Sequence, residues 1–194
     1  MISETKQLPN IHQFIHWDWG QNYPFNGGMS FLLESVGENA EIYDYWFFSG
    51  ISGDIFTMCY GNNGYFNDCV SVCSDGPEFI KSVFDKIGYD FQYVTSAEIN
   101  RNKDKYLEKV IDYINKGIPV LQKGPVENAN FDVIYEYDKN GRILSYMVGD
   151  ETYKGKIEDV YKRQLEFCAR MLSNSSARYF SPLYIGTISV TIIF

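Results

Sequence analysis

Histidine and cysteine are scarce in this sequence, although they are the side chains that most often bind metals or act as nucleophiles. The chain has two histidines, His12 and His16, and four cysteines, Cys59, Cys69, Cys73 and Cys168. A zinc set built from the two histidines and the Cys69–Cys73 pair is possible in principle, but the usual spacing is C-x₂-C. We therefore predict no metal, and free thiols rather than a disulfide framework.

Long apolar runs and secretion signals are also lacking. No stretch approaches the ~20 apolar residues that span a bilayer. The first ten residues, MISETKQLPN, do not show the basic and then apolar pattern of a signal peptide. We therefore expect a cytoplasmic protein that does not associate with membranes.

Basic residues are outnumbered, with 17 Lys and Arg against 25 Asp and Glu, which gives a net charge of -8. Such a chain repels a phosphate backbone, so nucleic acid is not expected as a partner. Neither of the common Gly-rich phosphate-binding motifs occurs, so we predict no nucleotide or other cofactor. Aromatic residues, in contrast, make up 17% of the chain, enough to fill a core or to line a pocket.

The hydrophobic pattern predicts an α+β protein in which helices come first, followed by strand–helix–strand and then a hairpin. The helices are expected at 29–36, 43–49, 54–60, 77–88 and from Asn100 or Asn102 to Gly117, and the strands at 89–94, 118–122, 131–137 and 142–148. Residues 6–23 read as a strand or extended arm, and 62–76 as a loop. Asn26, Gly27 and Gly28 are expected to interrupt the pattern before the first helix.

The stretch DVYKRQ, residues 159–164, is similar to the conceptual translation of a transposase adaptor used in short-read sequencing. Beyond it the composition changes, and no charged residue follows Arg178. We expect residues 1–158 to form a single domain, and 159–194 to be adaptor read-through and misassembled sequence. The alternative is a native helix over 162–172 followed by a terminal strand.

Four stretches between residues 20 and 151 resemble papain-like cysteine peptidases and acyltransferases. They are NGGMSFLLESVGE, FFSGISGDIFTMCYG, GPEFIKSVFDKIGYDFQYV, and YINKGIPVLQKGP with the hairpin that follows. The likeness is greatest to the amino-terminal domain of the butirosin biosynthesis protein H family and to bacteriocin-processing-peptidase-like relatives. It implies a helical lobe followed by a small antiparallel sheet, with Cys–His chemistry in the cleft between them.

The resemblance also implies where the nucleophile would lie. Gln21 precedes Gly27 by six residues, as an oxyanion-binding glutamine precedes the nucleophile. The nucleophile position is then Gly27, or its neighbour Asn26 or Gly28, and none of these residues is a nucleophile. Ser30 is the nearest hydroxyl, but it lies at the wrong point of the turn.

The catalytic base is missing as well. The resemblance places the imidazole at residues 130–132, where the sequence reads Asn-Phe-Asp, and the group that orients it at Asp150. His12 and His16 precede the whole motif. An acid pair formed by Asp132 and Asp150 would be a different kind of site. Cys59, expected near the carboxyl end of a short helix, is more readily a buried apolar residue than a nucleophile.

We therefore expect a catalytically degenerate papain-like domain that binds a small molecule, acyl group or peptide in its cleft. Asp54 either caps a short helix or projects a carboxylate into that cleft. The predicted ligand-binding residues are Gln21, Asn26, Ser30, Asp54, Asp132 and Asp150. Two alternatives are an active acyltransferase or amidase with a non-standard nucleophile, such as Ser30 or Cys59, and a non-catalytic interaction module of a longer protein.

Overall fold

The computed structural model describes residues 5–21, 23–56, 59–61, 64–66, 77–123, 131–138, 143–148, 152–156 and 189–193. The helices are α1 (Pro24–Ser35), α2 (Tyr45–Ser52), α3 (Pro77–Ile87), α4 (Ser96–Arg101) and α5 (Lys103–Asn115), and short 3-10 helices cover Trp17–Trp19 and Asp54–Phe56. The strands are β1 (Lys6–Gln7), β2 (Cys59–Gly61), β3 (Gly64–Phe66), β4 (Phe91–Thr95), β5 (Val120–Lys123), β6 (Phe131–Tyr137), β7 (Ile143–Val148), β8 (Thr152–Lys156) and β9 (Ser189–Ile193). The predicted α+β class is confirmed.

Helix α1 begins at Pro24, so the expectation that residues 26–28 interrupt the pattern was wrong. Proline has its φ already set for a first helical turn and needs no hydrogen-bond partner for its nitrogen, which favours this start. The two glycines lower helix propensity, but they allow close tertiary packing, described below. The helix ends as predicted, because Gly37 adopts a φ of 95° beyond its last turn.

The region after α2 differs from the expected second helix over 54–60. In the described part of this stretch only Asp54–Phe56 is helical, as a single 3-10 turn, and Cys59 begins strand β2 instead of ending a helix. Gly53 stops α2 with a left-handed φ of 82°. Strand β3 pairs with β2 inside the stretch expected to be a loop. Cys69 and Cys73 lie outside the described residues.

The strand–helix–strand segment follows the sequence pattern, with one addition. Helix α3, strand β4, helix α5 and strand β5 lie where they were expected. The short helix α4 was missed, although its start carries a capping box in which Thr95 and Glu98 bond each other's backbone. The hydrogen bonds from Thr95 lower the pKa of the Glu98 carboxyl below its usual value.

The main sheet has seven strands, and all their pairings are antiparallel. The order is β4-β9-β5-β6-β7-β8, and β1 pairs with part of β6. The predicted β6–β7 hairpin is confirmed, while its turn at 139–142 lies outside the described residues. Strand β8 was not predicted. Strand β9, from the stretch expected to be misassembled, lies between β4 and β5, and residues 157–188, including the alternative helix over 162–172, are outside the description.

Helix α1 packs against β5 and β6 and carries much of the core. Phe25, Met29, Leu32 and Leu33 of α1 are buried against the sheet and the neighbouring helices. None of the helices in the described residues is long and apolar enough to cross a membrane.

Candidate functional site at the amino end of α1

One side of the first turn of α1 is filled with aromatic rings. The ring centroids of Phe25 and Phe131 are 5.2 Å apart, with the planes 65° apart. The rings of Tyr23 and Phe131 are nearly perpendicular, with centroids 6.3 Å apart. The ring of Phe79, on α3, has its centroid 5.2 Å from that of Phe25. Phe25 and Phe131 are almost completely buried. At the start of β6, where the resemblance places an imidazole, the residue facing α1 is therefore phenylalanine.

The backbone of Asp132 lies in β6 directly after Phe131. There it pairs in register with Gln122 of β5. Gln122 is 2% exposed, and its Oε1 has no hydrogen-bond partner among the described residues. Asp150 lies outside the described residues, so the structure does not test an Asp132–Asp150 pair.

The expected nucleophile position is closed by packing. A Cβ atom added at Gly27 would lie 2.3 Å from the backbone oxygen of Phe14 and 2.7 Å from Cδ1 of Ile15. At Gly28 it would lie 2.4 Å from Cδ1 of Leu121 on β5. Real Cβ atoms do not approach a backbone oxygen so closely, so no larger side chain fits at position 27 without moving the arm. The two glycines serve packing at this turn.

A small polar cluster lies on the other side of the same turn. Asn26 Nδ2 donates to Asp54 Oδ2 at 3.4 Å, and Ser49 Oγ donates to the same oxygen at 3.3 Å. Both distances are long for hydrogen bonds. Asn26 and Ser49 are buried, whereas Asp54 is half-buried and is the member that solvent reaches. The structure thus joins two predicted site residues, Asn26 and Asp54, and adds Ser49.

The amide oxygen of Asn26 is the unusual atom of this cluster. Asn26 is 0% exposed, and its Oδ1 has no hydrogen-bond partner among the described residues. The positions of Nδ2 and Oδ1 follow from the contact with Asp54, because the opposite orientation of the amide would place Oδ1 against a carboxylate oxygen. A buried acceptor without a donor costs about 1–3 kcal/mol, and proteins tolerate few of them.

The side chain of Gln21 makes a local hydrogen bond in the loop before α1. Its Oε1 accepts a hydrogen bond of 2.8 Å from the backbone nitrogen of His16, which closes the loop before α1. The His16 ring stacks on Trp19 at 4.2 Å. His12 lies beside the carboxyl half of α1, where its Nε2 is 3.3 Å from Glu34 Oε2. Within the described residues, neither imidazole contacts the polar cluster.

Ser30 lies one turn beyond Asn26 and is half-buried. Its hydroxyl has no hydrogen bond to any described residue, so no base activates it within this part of the chain. In the described residues, no three His, Cys, Asp or Glu side chains come close enough to hold a metal ion.

Two small cavities lie along the amino-terminal arm, away from the cluster. One, of about 80 Å³, has Asn10, Glu34 and Ser35 among its lining residues. The other lies under Ile11 and His12 and leaves no room for a water molecule. Pockets for small organic ligands usually measure roughly 300–1,000 Å³, so neither cavity is of that kind.

Ser49 was missed by sequence reasoning because the stretch FFSGISGDIF was interpreted only through its breaks. The serine is buried at the end of an apolar run, and a hydroxyl buried there needs an acceptor nearby. Asp54, five residues later, is the acidic side chain that supplies it. This spacing was visible in the sequence, but the approach of both residues to Asn26 was not.

Comparisons of the chain with protein-family models, with curated proteins and with solved structures gave no match.

Proposed function

We propose that this chain is a catalytically silent papain-like domain that acts by binding a small molecule, an acyl group or a peptide at the amino end of α1. The observation that carries the proposal is the amide of Asn26, which is fully buried with one acceptor unmet beside a carboxylate that solvent reaches. A ligand that enters beside Asp54 and donates an N–H or O–H to Asn26 would complete the cluster. A cytoplasmic location is part of the same proposal.

Three features of the turn support a binding role over catalysis. The nucleophile position is a glycine that has no room for a side chain. The side chain of β6 that faces the turn is Phe131, which cannot accept a proton. Ser30 lacks a base among the described residues. An active acyltransferase or amidase would need a nucleophile within hydrogen-bond reach of a base.

The interaction-module alternative is favoured by a separate observation. The aromatic rings between α1 and β6 fill the space where a cleft would lie, and large apolar side chains such as Phe56 are exposed elsewhere. A partner protein would then bind the outer surface of the helices, which can also coexist with ligand binding at Asn26.

A binding experiment tests the main proposal. The ¹⁵N-labelled chain is titrated with a set of short N-acyl amines and dipeptide amides, and the side-chain amide signals of Asn26 are followed. We expect at least one member of the set to shift these signals, and Asn26→Leu, which keeps the shape and removes the acceptor, to abolish its binding. Asn100→Leu, at an exposed position of α4, is the matched control. Binding that survives Asn26→Leu would overturn the proposal.

Catalysis is tested in parallel with p-nitrophenyl acetate and an acyl thioester. Turnover by the wild-type chain should not exceed that of Ser30→Ala. Turnover that Ser30→Ala abolishes would establish the active-enzyme alternative instead.

A further inference from the structure

Strand β9 is, among the described residues, the only strand that joins β4 to the rest of the main sheet. It lies between β4 and β5 and pairs antiparallel with both, so β4 and β5 run parallel to each other on its two sides. Neighbouring strands lie about 4.7–4.9 Å apart, so β4 and β5 are separated by about twice the usual spacing. We call the space between these two strands the β4–β5 slot.

The two walls of the β4–β5 slot come from one continuous segment of the chain, whereas the strand inside it comes from another. Strand β4, helices α4 and α5 and strand β5 follow one another between Phe91 and Lys123. Helix α4 packs on β4, and α5 packs on β5. Strand β9 begins only at Ser189. The elements that position the two walls therefore do not include β9, and the edges of β4 and β5 present backbone groups that can pair with any extended segment.

Strand β9 matches the two walls unequally. It pairs with β4 along its whole length, but with β5 only at Val190 and Thr191. Val190 lies in register with Gln122, which is 2% exposed and whose Oε1 has no hydrogen-bond partner among the described residues. On the other wall, Gln92 Oε1 accepts from Lys109 Nζ at 2.9 Å. A valine side chain has no donor, so the present strand cannot satisfy Gln122 from this position.

We infer that the β4–β5 slot binds an extended segment of a partner protein, which replaces β9 and brings a Ser or Thr hydroxyl to the position opposite Gln122. Residues directly opposite each other in an antiparallel pair have neighbouring side chains, so a hydroxyl there can donate to Oε1. Added strands are held by main-chain hydrogen bonds, and their side chains supply the specificity. Strand β9 of a second copy is not favoured, because it would bring Val190 to the same position and leave the acceptor unmet.

Fluorescence anisotropy with two labelled peptides tests this inference on the full chain. The valine peptide copies residues 187–194, TISVTIIF, with lysines added for solubility, and the threonine peptide has threonine in place of Val190. Thr191→Pro is designed to release β9, because Thr191 pairs with both walls and proline has no N–H for the ladder. This variant should bind the threonine peptide about tenfold more tightly than the wild type, in which the tethered β9 competes. Thr191→Val keeps the N–H and, as the matched control, should bind like the wild type.

Comparison of the two peptides tests the role of Gln122. The threonine peptide should bind about five- to tenfold more tightly than the valine peptide. Gln122→Leu keeps a similar shape and removes the acceptor, so it should abolish this preference. The wild type should show the same preference at higher peptide concentrations, which decides the matter if circular dichroism shows that Thr191→Pro is unfolded.

Four results would overturn the inference. They are no binding of the threonine peptide, equal binding of the two peptides, a preference that survives Gln122→Leu, and equal binding by the wild type and a folded Thr191→Pro. A wild-type dimer that Thr191→Pro converts to a monomer in analytical ultracentrifugation would overturn it as well, because the strand in the slot would then come from a second copy.

Discussion

Helices α1 and α5 are similar in length but differ in almost everything else. Nine of the twelve residues of α1 are buried, and the helix has no charged residue in its first turn. Only three of the thirteen residues of α5, Val110, Tyr113 and Ile114, are buried. Apolar residues beside them are partly buried, and the exposed face of the helix is mostly charged. Both helices pack on the same sheet, yet α1 is an interior helix and α5 a surface helix.

The burial of α1 determines what an unpaired amide at Asn26 costs in stability. On a surface helix such as α5 an unsatisfied amide would be hydrated at no cost. In α1 the same amide is enclosed by protein, so its missing partner lowers stability unless something else compensates. The following predictions test how different the two helices are, beginning with the largest expected effect.

Phe25→Ala in α1 should lower the free energy of unfolding by about 3–5 kcal/mol, since it removes a fully buried ring that touches Phe131 and Phe79. Leu107→Ala, at a partly buried position of α5, should cost about 1 kcal/mol. Urea unfolding followed by circular dichroism measures both. Similar losses for the two variants would show that α1 is not the more deeply packed helix.

Gly27→Ala should destabilise the protein by about 1–3 kcal/mol, although alanine is the better helix former. The reason is the clash of the new methyl group with the Phe14 carbonyl and Ile15. Gly50→Ala in α2 is the matched control, because no atom beyond its own stretch of helix lies within 4 Å of its added Cβ. That variant should gain up to about 1 kcal/mol. A stabilised Gly27→Ala protein, measured by thermal unfolding, would refute the close contact.

Tyr113 on α5 should make the stability of the protein fall at alkaline pH. Burial, with a smaller contribution from Asp112, raises the pKa of its hydroxyl from 10.0 to about 12. The folded state thus favours the neutral hydroxyl more than the unfolded state does. The stability that Tyr113 contributes is therefore fully present below pH 10.0 and is lost as the pH rises toward 12. Its size is at most about 2.7 kcal/mol, from two pKa units of about 1.36 kcal/mol each.

The comparison protein is Tyr113→Phe, which lacks the titrating group. Its stability relative to the wild type should improve between pH 10 and pH 12 when both are unfolded with urea. A constant difference over this range would mean that Tyr113 ionises as easily in the folded as in the unfolded chain.

The exposed pair Asp112–Lys116 on α5 should have the smallest effect. Its Oδ2–Nζ distance is 2.6 Å, but both side chains are more than half exposed. Such i,i+4 pairs contribute about 0.3–0.5 kcal/mol. Asp112→Asn at pH 7 should therefore lower the unfolding free energy by no more than that, and the difference should shrink in about 1 M salt. A loss comparable to that of Phe25→Ala would contradict the assignment of α5 as a surface helix.

The sequence was most informative where local rules decide the structure. Helix α3 begins at a proline and is followed by a glycine with positive φ, and the 3.6-residue apolar period lies between them. The β6–β7 hairpin follows from two alternating runs joined by a short polar turn. The pattern was misread at the start of α1, because glycines usually weaken a helix, and a close approach to another segment cannot be seen in the order of residues.

The pattern of apolar residues alone determined the α+β class, whereas the missing Cys–His pair depends on the family resemblance and stays a prediction. Only the tertiary structure decided that Phe131 packs against Phe25 of α1, and that Asn26 meets Asp54 and Ser49. The physical reason is that helix and turn signals act over a few residues. Contacts between distant residues depend instead on strand register and on how closely two segments pack, and both are set when the whole core assembles.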